Sequence, residues 1–71
     1  MHITKAANII DLYVKTLFNE DCIVTIKSIN LDNVACTAKF TVVADHLITM
    51  QLSMSLTSLE LLEIAANGEH A

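Results

Sequence analysis

Apolar and polar side chains alternate over two long stretches in the middle of the chain. Most odd-numbered positions there carry threonine, serine, glutamine or lysine. A period of two is typical of strands with one buried face and one solvent-facing face. The pattern predicts two strands, over residues 34–43 and 47–56. Their apolar positions are all even-numbered: Val34, Cys36, Ala38, Phe40, Val42, Ile48, Met50, Leu52, Met54 and Leu56.

Residues 22–29 are predicted to form a first strand, and the length of the loop that follows decides its register. A two-residue loop would place Lys27 on the face that carries the apolar side chains. A three-residue loop over residues 31–33 instead aligns Val24 with Phe40. Such loops need a left-handed residue at their end, which Asn33 tolerates. The sequence therefore favours the three-residue loop.

The connection between the second and third strands is analysed in the same way. A two-residue loop would pair Val42 with Thr49 and interrupt the apolar face. A three-residue loop over residues 44–46 pairs Val42 with Ile48 and keeps that face apolar. His46 can adopt the positive φ that this loop requires. The three strands are thus predicted to form an antiparallel meander.

An amphipathic helix is predicted over residues 3–19, before the strands. Its apolar side chains recur at spacings of three and four, which places them on one side of a helix. The opposite side carries lysine, asparagine and aspartate. The apolar stripe consists of Ile3, Ala6, Ala7, Ile10, Tyr13, Val14, Leu17 and Phe18.

The last part of the chain is predicted to form a second, short helix, over residues 58–66. Thr57 followed by Glu60 matches a capping box, and Asn67-Gly68 is a typical helix stop. The alternative is that the third strand continues through Leu61. The predicted fold is a single two-layer α+β domain over residues 1–71. It has the order helix, three-stranded antiparallel meander, short helix, with both helices on one sheet face.

The composition indicates more apolar surface than so small a domain can bury. The chain has 71 residues, of which 54% are hydrophobic. Small domains have a high ratio of surface to volume, so part of this surface must remain exposed in a single copy. We therefore expect a homodimer or another protein partner.

The charge balance argues against nucleic acid and against an anionic membrane surface as partners. The net charge is −4, and the only basic residues are four lysines. The predicted order of elements is similar to that of double-stranded RNA-binding domains. Those domains present lysines where this chain has Thr57-Ser58-Leu59-Glu60, so no residue role is transferred. The first twenty residues predict neither a signal peptide nor a membrane span, and with two cysteines we expect a cytoplasmic protein.

No residue pattern indicates catalysis, a cofactor or a metal site. Cys22, Cys36, His46 and His2 do not match any zinc spacing. Neither cysteine has the nearby base and electropositive setting of a nucleophile, and both are predicted to be small buried hydrophobic residues. A two-layer domain of this size also has little volume for a walled pocket. We expect a non-enzyme with no cofactor.

The uncovered face of the predicted sheet is the candidate interaction surface. It is rich in hydroxyl groups and poor in charge, which is a feature of interface centres. An ordinary solvated strand face has a similar composition, because threonine is a common outward-facing strand residue. The candidate interface residues are Thr37, Lys39, Thr41, Leu47, Thr49, Gln51, Ser53 and Ser55.

The third predicted strand would be a long, uncharged sheet edge, and such edges promote pairing with another chain. Pairing with the same strand of a second copy would make a six-stranded sheet. The first hypothesis is a small acidic, non-catalytic protein–protein interaction module. It would act as a homodimeric inhibitor or adaptor of a larger cytosolic protein, of the kind that phages and mobile elements encode. The alternative is a structural or assembly subunit that associates through its strand edge or sheet face. A ligand-binding dimer is a third hypothesis.

Overall fold

The protein is described by a computed structural model that covers residues 3–66. One helix and four antiparallel strands form a small α+β domain, which confirms the predicted class. The strands lie in the sheet in the same order as in the sequence, β1-β2-β3-β4. The elements are α1 (Ile3–Leu17), β1 (Val24–Asp32), β2 (Thr37–Ala44), β3 (Ile48–Ser55) and β4 (Leu61–Ala66).

Helix α1 packs on one face of the sheet through a narrow apolar stripe. Ala6, Ile10 and Val14 are fully buried and are spaced four apart, as one side of a helix requires. The helix ends at Leu17, two residues earlier than predicted. Leu17 and Phe18 belong to the predicted stripe but are exposed, because they lie at and beyond the end of the helix.

The core lies between α1 and the inward-facing side chains of the central strands. Phe40, Leu52 and Met54 are the largest of these and have no exposed surface. The predicted inside and outside of β2 and β3 are therefore confirmed. Val34 and Cys36 were also predicted to face inward, but both lie in the turn before β2, and Val34 is 97% exposed.

The first hairpin differs from its prediction in both loop length and register. Its loop has four residues, 33–36, and Cys36 rather than Asn33 adopts the left-handed conformation, with φ of 55°. The Asp32 carboxylate accepts hydrogen bonds from the backbone N–H groups of Val34 and Ala35, both at 3.0 Å. This side-chain bonding begins the turn at Asp32 and moves the whole loop along the chain.

A β-bulge at Lys27 changes which side chains of β1 face the core. Val24 and Ile26 lie opposite Ala44 and Val42, and the register then shifts between Ile26 and Ser28. After the shift, Ile29 pairs with Phe40 and Leu31 pairs with Ala38. The predicted pairing of Val24 with Phe40 is therefore wrong, and Ile29 lies on the core face of the sheet. The extra residue lets apolar side chains of unequal spacing share one face.

The second hairpin is displaced by two residues from its predicted register. Val42 pairs with Met50 rather than with Ile48, and Ala44 is the buried last residue of β2. The turn comprises residues 45–47, with positive φ at both Asp45 (52°) and His46 (61°). The backbone N–H of Leu47 donates to the carbonyl of Ala44 at 3.0 Å. The prediction of positive φ at His46 is confirmed. Because the displacement is even, the buried faces of both strands are unchanged.

The predicted C-terminal helix over residues 58–66 is wrong. Residues 61–66 form β4, which pairs antiparallel with β3. The hydroxyl of Ser55 accepts hydrogen bonds from the backbone N–H groups of Thr57 and Ser58, at 3.3 and 3.2 Å. The residues interpreted as a capping box thus build a turn, which reverses the chain onto β3. The alternative of a continued third strand is also wrong, since β3 ends at Ser55. The predicted helix stop at Asn67-Gly68 lies outside the described residues.

Candidate functional site: the open face of the sheet

The face of the sheet opposite α1, which we call the open face, is not covered by any other helix or strand of the described residues. Within residues 3–66 there is no second helix to cover it. Cross-strand pairing places its side chains in rows, with Ser28, Thr41, Gln51 and Ala65 in one row. The open face comprises Thr25, Ser28, Asn30, Asp32, Thr37, Lys39, Thr41, Val43, Thr49, Gln51, Ser53, Ser55, Glu63 and Ala65.

Seven of the eight candidate interface residues lie together on this face. They alternate with the buried residues of β2 and β3, so the backbone of two central strands holds them at fixed spacing. Thr37 and Thr41 are half-buried, whereas Lys39 and Gln51 are exposed. The eighth candidate, Leu47, lies in the turn before β3 and is exposed there. The structure thus groups the seven strand residues into one surface and separates Leu47 from it.

The sequence interpretation missed the outer parts of the open face. Ser28, Asn30 and Asp32 belong to it because of the β1 bulge, and Glu63 belongs to it because β4 exists. The sequence predicted a face that is rich in hydroxyl groups and poor in charge. The observed face holds Lys39 near its centre and two carboxylates, Asp32 and Glu63, towards its periphery. The apolar residues of β1 change from even positions (24 and 26) to odd positions (29 and 31). This change was the signal in the sequence that Ser28, Asn30 and Asp32 lie on the open face.

Strand β3 is not an edge of the sheet, contrary to prediction. It is paired with β2 on one side and with β4 on the other. The unprotected edge inferred from the sequence is thus covered by the chain's own last strand. In the described part of the chain, the two edges of the sheet are β1 and β4.

A cleft of about 330 Å³ lies beside the first hairpin loop, lined by Asp32, Asn33, Cys36, Leu56 and Thr57. Two of its polar side chains have partners within the turn. The Asp32 carboxylate accepts from the loop backbone, and the Cys36 thiol donates to the Asn33 carbonyl at 3.7 Å. Both side chains therefore serve the structure of the turn.

The two thiols are free and lie in different environments. Cys36 is exposed, contrary to the prediction that it faces inward. Cys22 is buried, and its thiol lies 3.8 Å from the carbonyl oxygen of Ile23. Burial raises the pKa of the Cys22 thiol, and the negative charge of Asp45 raises it further. Both effects favour the protonated thiol, which is a poor nucleophile.

We expect Cys22 to react with a thiol reagent at neutral pH more slowly than Cys36, by a factor of roughly ten or more. A buried thiol reacts only after local opening of the fold, and the free energy of opening reduces its rate. Stopped-flow labelling of the Cys36→Ser and Cys22→Ala variants measures the two rates separately. Equal rates in the folded protein would show that Cys22 is accessible.

Within residues 3–66, no group of three or more His, Cys, Asp or Glu side chains is placed to hold a metal ion. His2, one of the residues considered for such a site, lies outside that range. The helix α1 does not meet the length and hydropathy needed to cross a membrane, and no other helix is described.

Comparisons of the chain with models of protein families, with curated proteins and with solved structures found no significant match.

Proposed function

We propose that this protein is a small acidic, non-catalytic protein–protein interaction module that acts as a homodimer and binds its partner through the open face. The observation that carries the proposal is the composition of that face. A contiguous set of threonine, serine, asparagine and glutamine side chains surrounds a single central lysine, Lys39. Hydroxyl and amide groups can donate and accept hydrogen bonds across an interface without the desolvation cost of charges.

The distribution of charge supports a role for the open face in binding. Glu20, Asp21 and Asp45 lie outside it, in the segment before β1 and in the second turn. Asp11 is on α1 and forms an ion pair with Lys15 at 3.1 Å. Charged residues are depleted at the centres of protein interfaces, and Lys39 is the one charged residue near the centre of the open face. In the proposed complex, Asp32 and Glu63 lie at the periphery of the contact and steer a basic partner towards it.

The exposed apolar side chains support self-association. Large apolar residues remain exposed on α1, before β1 and in the turns, and these include Leu12, Ile23, Val34 and Leu47. A single open face is also small. Each outward-facing strand residue covers about 33 Å², so the face amounts to roughly 500 Å². A standard interface buries about 800 Å² on each partner. We propose that two copies act together as an inhibitor or adaptor of a larger cytosolic protein, and that the chain is an accessory protein of the kind that phages and mobile elements encode.

The test of the proposed function compares two variants that gain the same charge at different places. Ser53→Lys adds a lysine to the open face, and Asn8→Lys adds one to the exposed side of α1. A lysine in the contact should weaken partner binding by roughly tenfold or more, because its long side chain disturbs the packing of the contact and its positive charge repels a basic partner. Quantitative affinity capture from the producing cells should recover the same partner with wild type and Asn8→Lys, and lose it with Ser53→Lys. Equal recovery with all three proteins would contradict the proposed role of the open face.

The alternative function, a structural or assembly subunit, is favoured by one observation. The sheet has two different free edges within the described chain, β1 and β4. Pairing of β1 of one copy with β4 of the next would be head-to-tail, and such contacts extend into open filaments unless the rotation between copies closes a ring. Light scattering across a wide concentration range distinguishes the two functions. A constant mass of two chains supports the interaction module, and a mass that grows with concentration supports the assembly subunit.

A further inference from the structure

Among residues 3–66, no strand pairs with the outer edge of β4, which presents unpaired backbone groups at Ile64. The N–H of Leu56 points to the side of β3 that faces β2 and donates to the carbonyl of Cys36. The N–H of Ser55 points to the opposite side, which faces β4, and donates to the carbonyl of Glu60. Backbone groups of successive strand residues point to opposite sides, so Leu52, like Leu56, bonds towards β2. Ile64 lies opposite Leu52. This pair is therefore not hydrogen-bonded, and the N–H and C=O of Ile64 point away from β3.

The side chains of β4 make this edge apolar as well as unpaired. Ile64 lies on the core face of the sheet, in one row with Ile29, Phe40 and Leu52. Phe40 and Leu52 are fully buried at the centre of the row, but Ile64 is 42% exposed at its end. The neighbouring Leu62 is also exposed. The row of core side chains therefore ends at the edge of the sheet with an exposed apolar residue and not with a polar one.

The other edge of the sheet is protected against pairing. The bulge of β1 lies in the middle of the strand, between Ile26 and Ser28, and its extra residue is Lys27. Bulges and lysines are two devices by which soluble proteins block sheet edges. The register shift of β4 lies at its beginning, between Leu61 and Glu63, so that Glu63 to Ala66 pair regularly with β3. The two edges thus differ, and β4 is the one that can accept another strand.

Symmetry limits the possible registers of a β4–β4 contact, and electrostatics favours an axis at Ile64 over one at Glu63. Antiparallel pairing of two identical strands requires a two-fold axis perpendicular to the sheet. An axis through Glu63 would place two carboxylates directly opposite each other, which is destabilising. An axis through Ile64 places each Glu63 opposite Ala65 of the other copy. It also pairs the two Ile64 side chains on the core face, where their free backbone groups exchange two hydrogen bonds.

We propose that β4 pairs with β4 of a second copy about a two-fold axis at Ile64, which makes a continuous eight-stranded antiparallel sheet. The inference rests on the proposed function, since it assigns the surface by which the homodimer forms. The axis is perpendicular to the sheet, so both open faces lie on the same side. Their combined area of roughly 1,000 Å² reaches the size of a standard interface on one partner. The second copy thereby completes a binding surface that one chain has only in half.

The first experiment compares equivalent positions on the two edges. Ile64→Lys and Ile29→Lys change residues of the same row, at the β4 and β1 ends, with similar exposure of 42% and 38%. Light scattering at a concentration where wild type is a dimer should give the mass of one chain for Ile64→Lys and of two chains for Ile29→Lys. Circular dichroism of each variant verifies that it is folded. A dimeric Ile64→Lys, or a monomeric Ile29→Lys that is folded, would overturn the assignment of β4.

The second experiment does not depend on the stability of a lysine variant. Cα atoms of a hydrogen-bonded antiparallel pair are about 5.5 Å apart, within the range of a disulfide. In a Cys36→Ser background, mild oxidation of Ile64→Cys should give a covalent dimer, and oxidation of Ile29→Cys should not. Absence of the Ile64→Cys dimer from a protein that light scattering shows to be dimeric would contradict this register.

The outcomes separate this inference from the proposed function. If Ser53→Lys dissociates the dimer and Ile64→Lys does not, the protein is a homodimer that forms through the open face, and the assignment of β4 is wrong. If wild type is a monomer at every concentration, both the proposed homodimer and its β4 interface are wrong. Partner capture that depends on the open face would still support an interaction module in that case.

Discussion

Replacement of Phe40 by alanine is expected to lower the free energy of unfolding by about 3–5 kcal/mol. Phe40 is the largest fully buried side chain and lies at the centre of the sheet, between Ile29 and Leu52. Its truncation removes the transfer free energy of the ring and leaves a cavity that the paired strands cannot close. A domain of this length is stabilised by roughly 4–10 kcal/mol in total. The substitution should therefore remove a large share of the total stability, and all of it if the domain lies at the lower end of that range.

Urea unfolding followed by circular dichroism measures this effect. Thr41→Ala is the matched control, because it truncates the adjacent residue of β2, which is half-buried on the open face. We expect that control to change stability by less than about 1 kcal/mol, as is usual for surface substitutions. If Phe40→Ala and Thr41→Ala were equally stable, the core would not be centred on this row.

Replacement of Met54 by lysine is expected to unfold the protein. Met54 has no exposed surface, and it pairs with Ala38 on one side and Leu61 on the other, all on the core face. A lysine there would bury an unpaired ammonium group, and the effective desolvation penalty of one ion is several kcal/mol. This cost adds to the lost packing of the methionine. The sum is comparable with the whole stability of the domain.

Ser53→Lys is the control, because Ser53 is adjacent to Met54 but lies on the open face of the sheet. A lysine at this position should leave the fold of a single chain intact. Circular dichroism and thermal unfolding at high dilution, where any dimer is dissociated, compare the two. Unfolding of Ser53→Lys together with tolerance of Met54→Lys would mean that the inside and outside of β3 are reversed.

The helix and the buried faces of two strands were predictable because each depends on a short-range period. Apolar residues recur every three or four positions over residues 3–17, which places them on one side of a helix. They recur every two positions over β2 and β3, which places them on one face of a sheet. The register between strands was less predictable. It depended on turns that start from side-chain hydrogen bonds, such as those of Asp32, and on positive φ at Asp45 and Cys36. Neither has a strong signal in a sequence without proline and with one glycine.

The residues of the open face were predictable only where the period of two is regular. The outward residues of β2 and β3 were identified, whereas those of β1 after the bulge and of β4 were not. In β1, the apolar spacing changes from two to three between Ile26 and Ile29, and a bulge accommodates that change. In β4, a second register shift places Leu61 and Ile64 on one face although they are three apart. A spacing of three resembles a helix when it is considered alone.

The sequence by itself determined that the protein has one amphipathic helix and at least two half-buried strands. It also determined that the third strand needs a partner along its edge. Only the tertiary structure decided that this partner is β4, the segment Leu61–Ala66 of the same chain. An isolated helix of nine residues is marginal in water, whereas the same residues as a strand satisfy the open hydrogen bonds of β3 and cover its edge. Non-local pairing thus overrides the local preference of residues 58–66, and it leaves β4 as an edge that a second copy can extend.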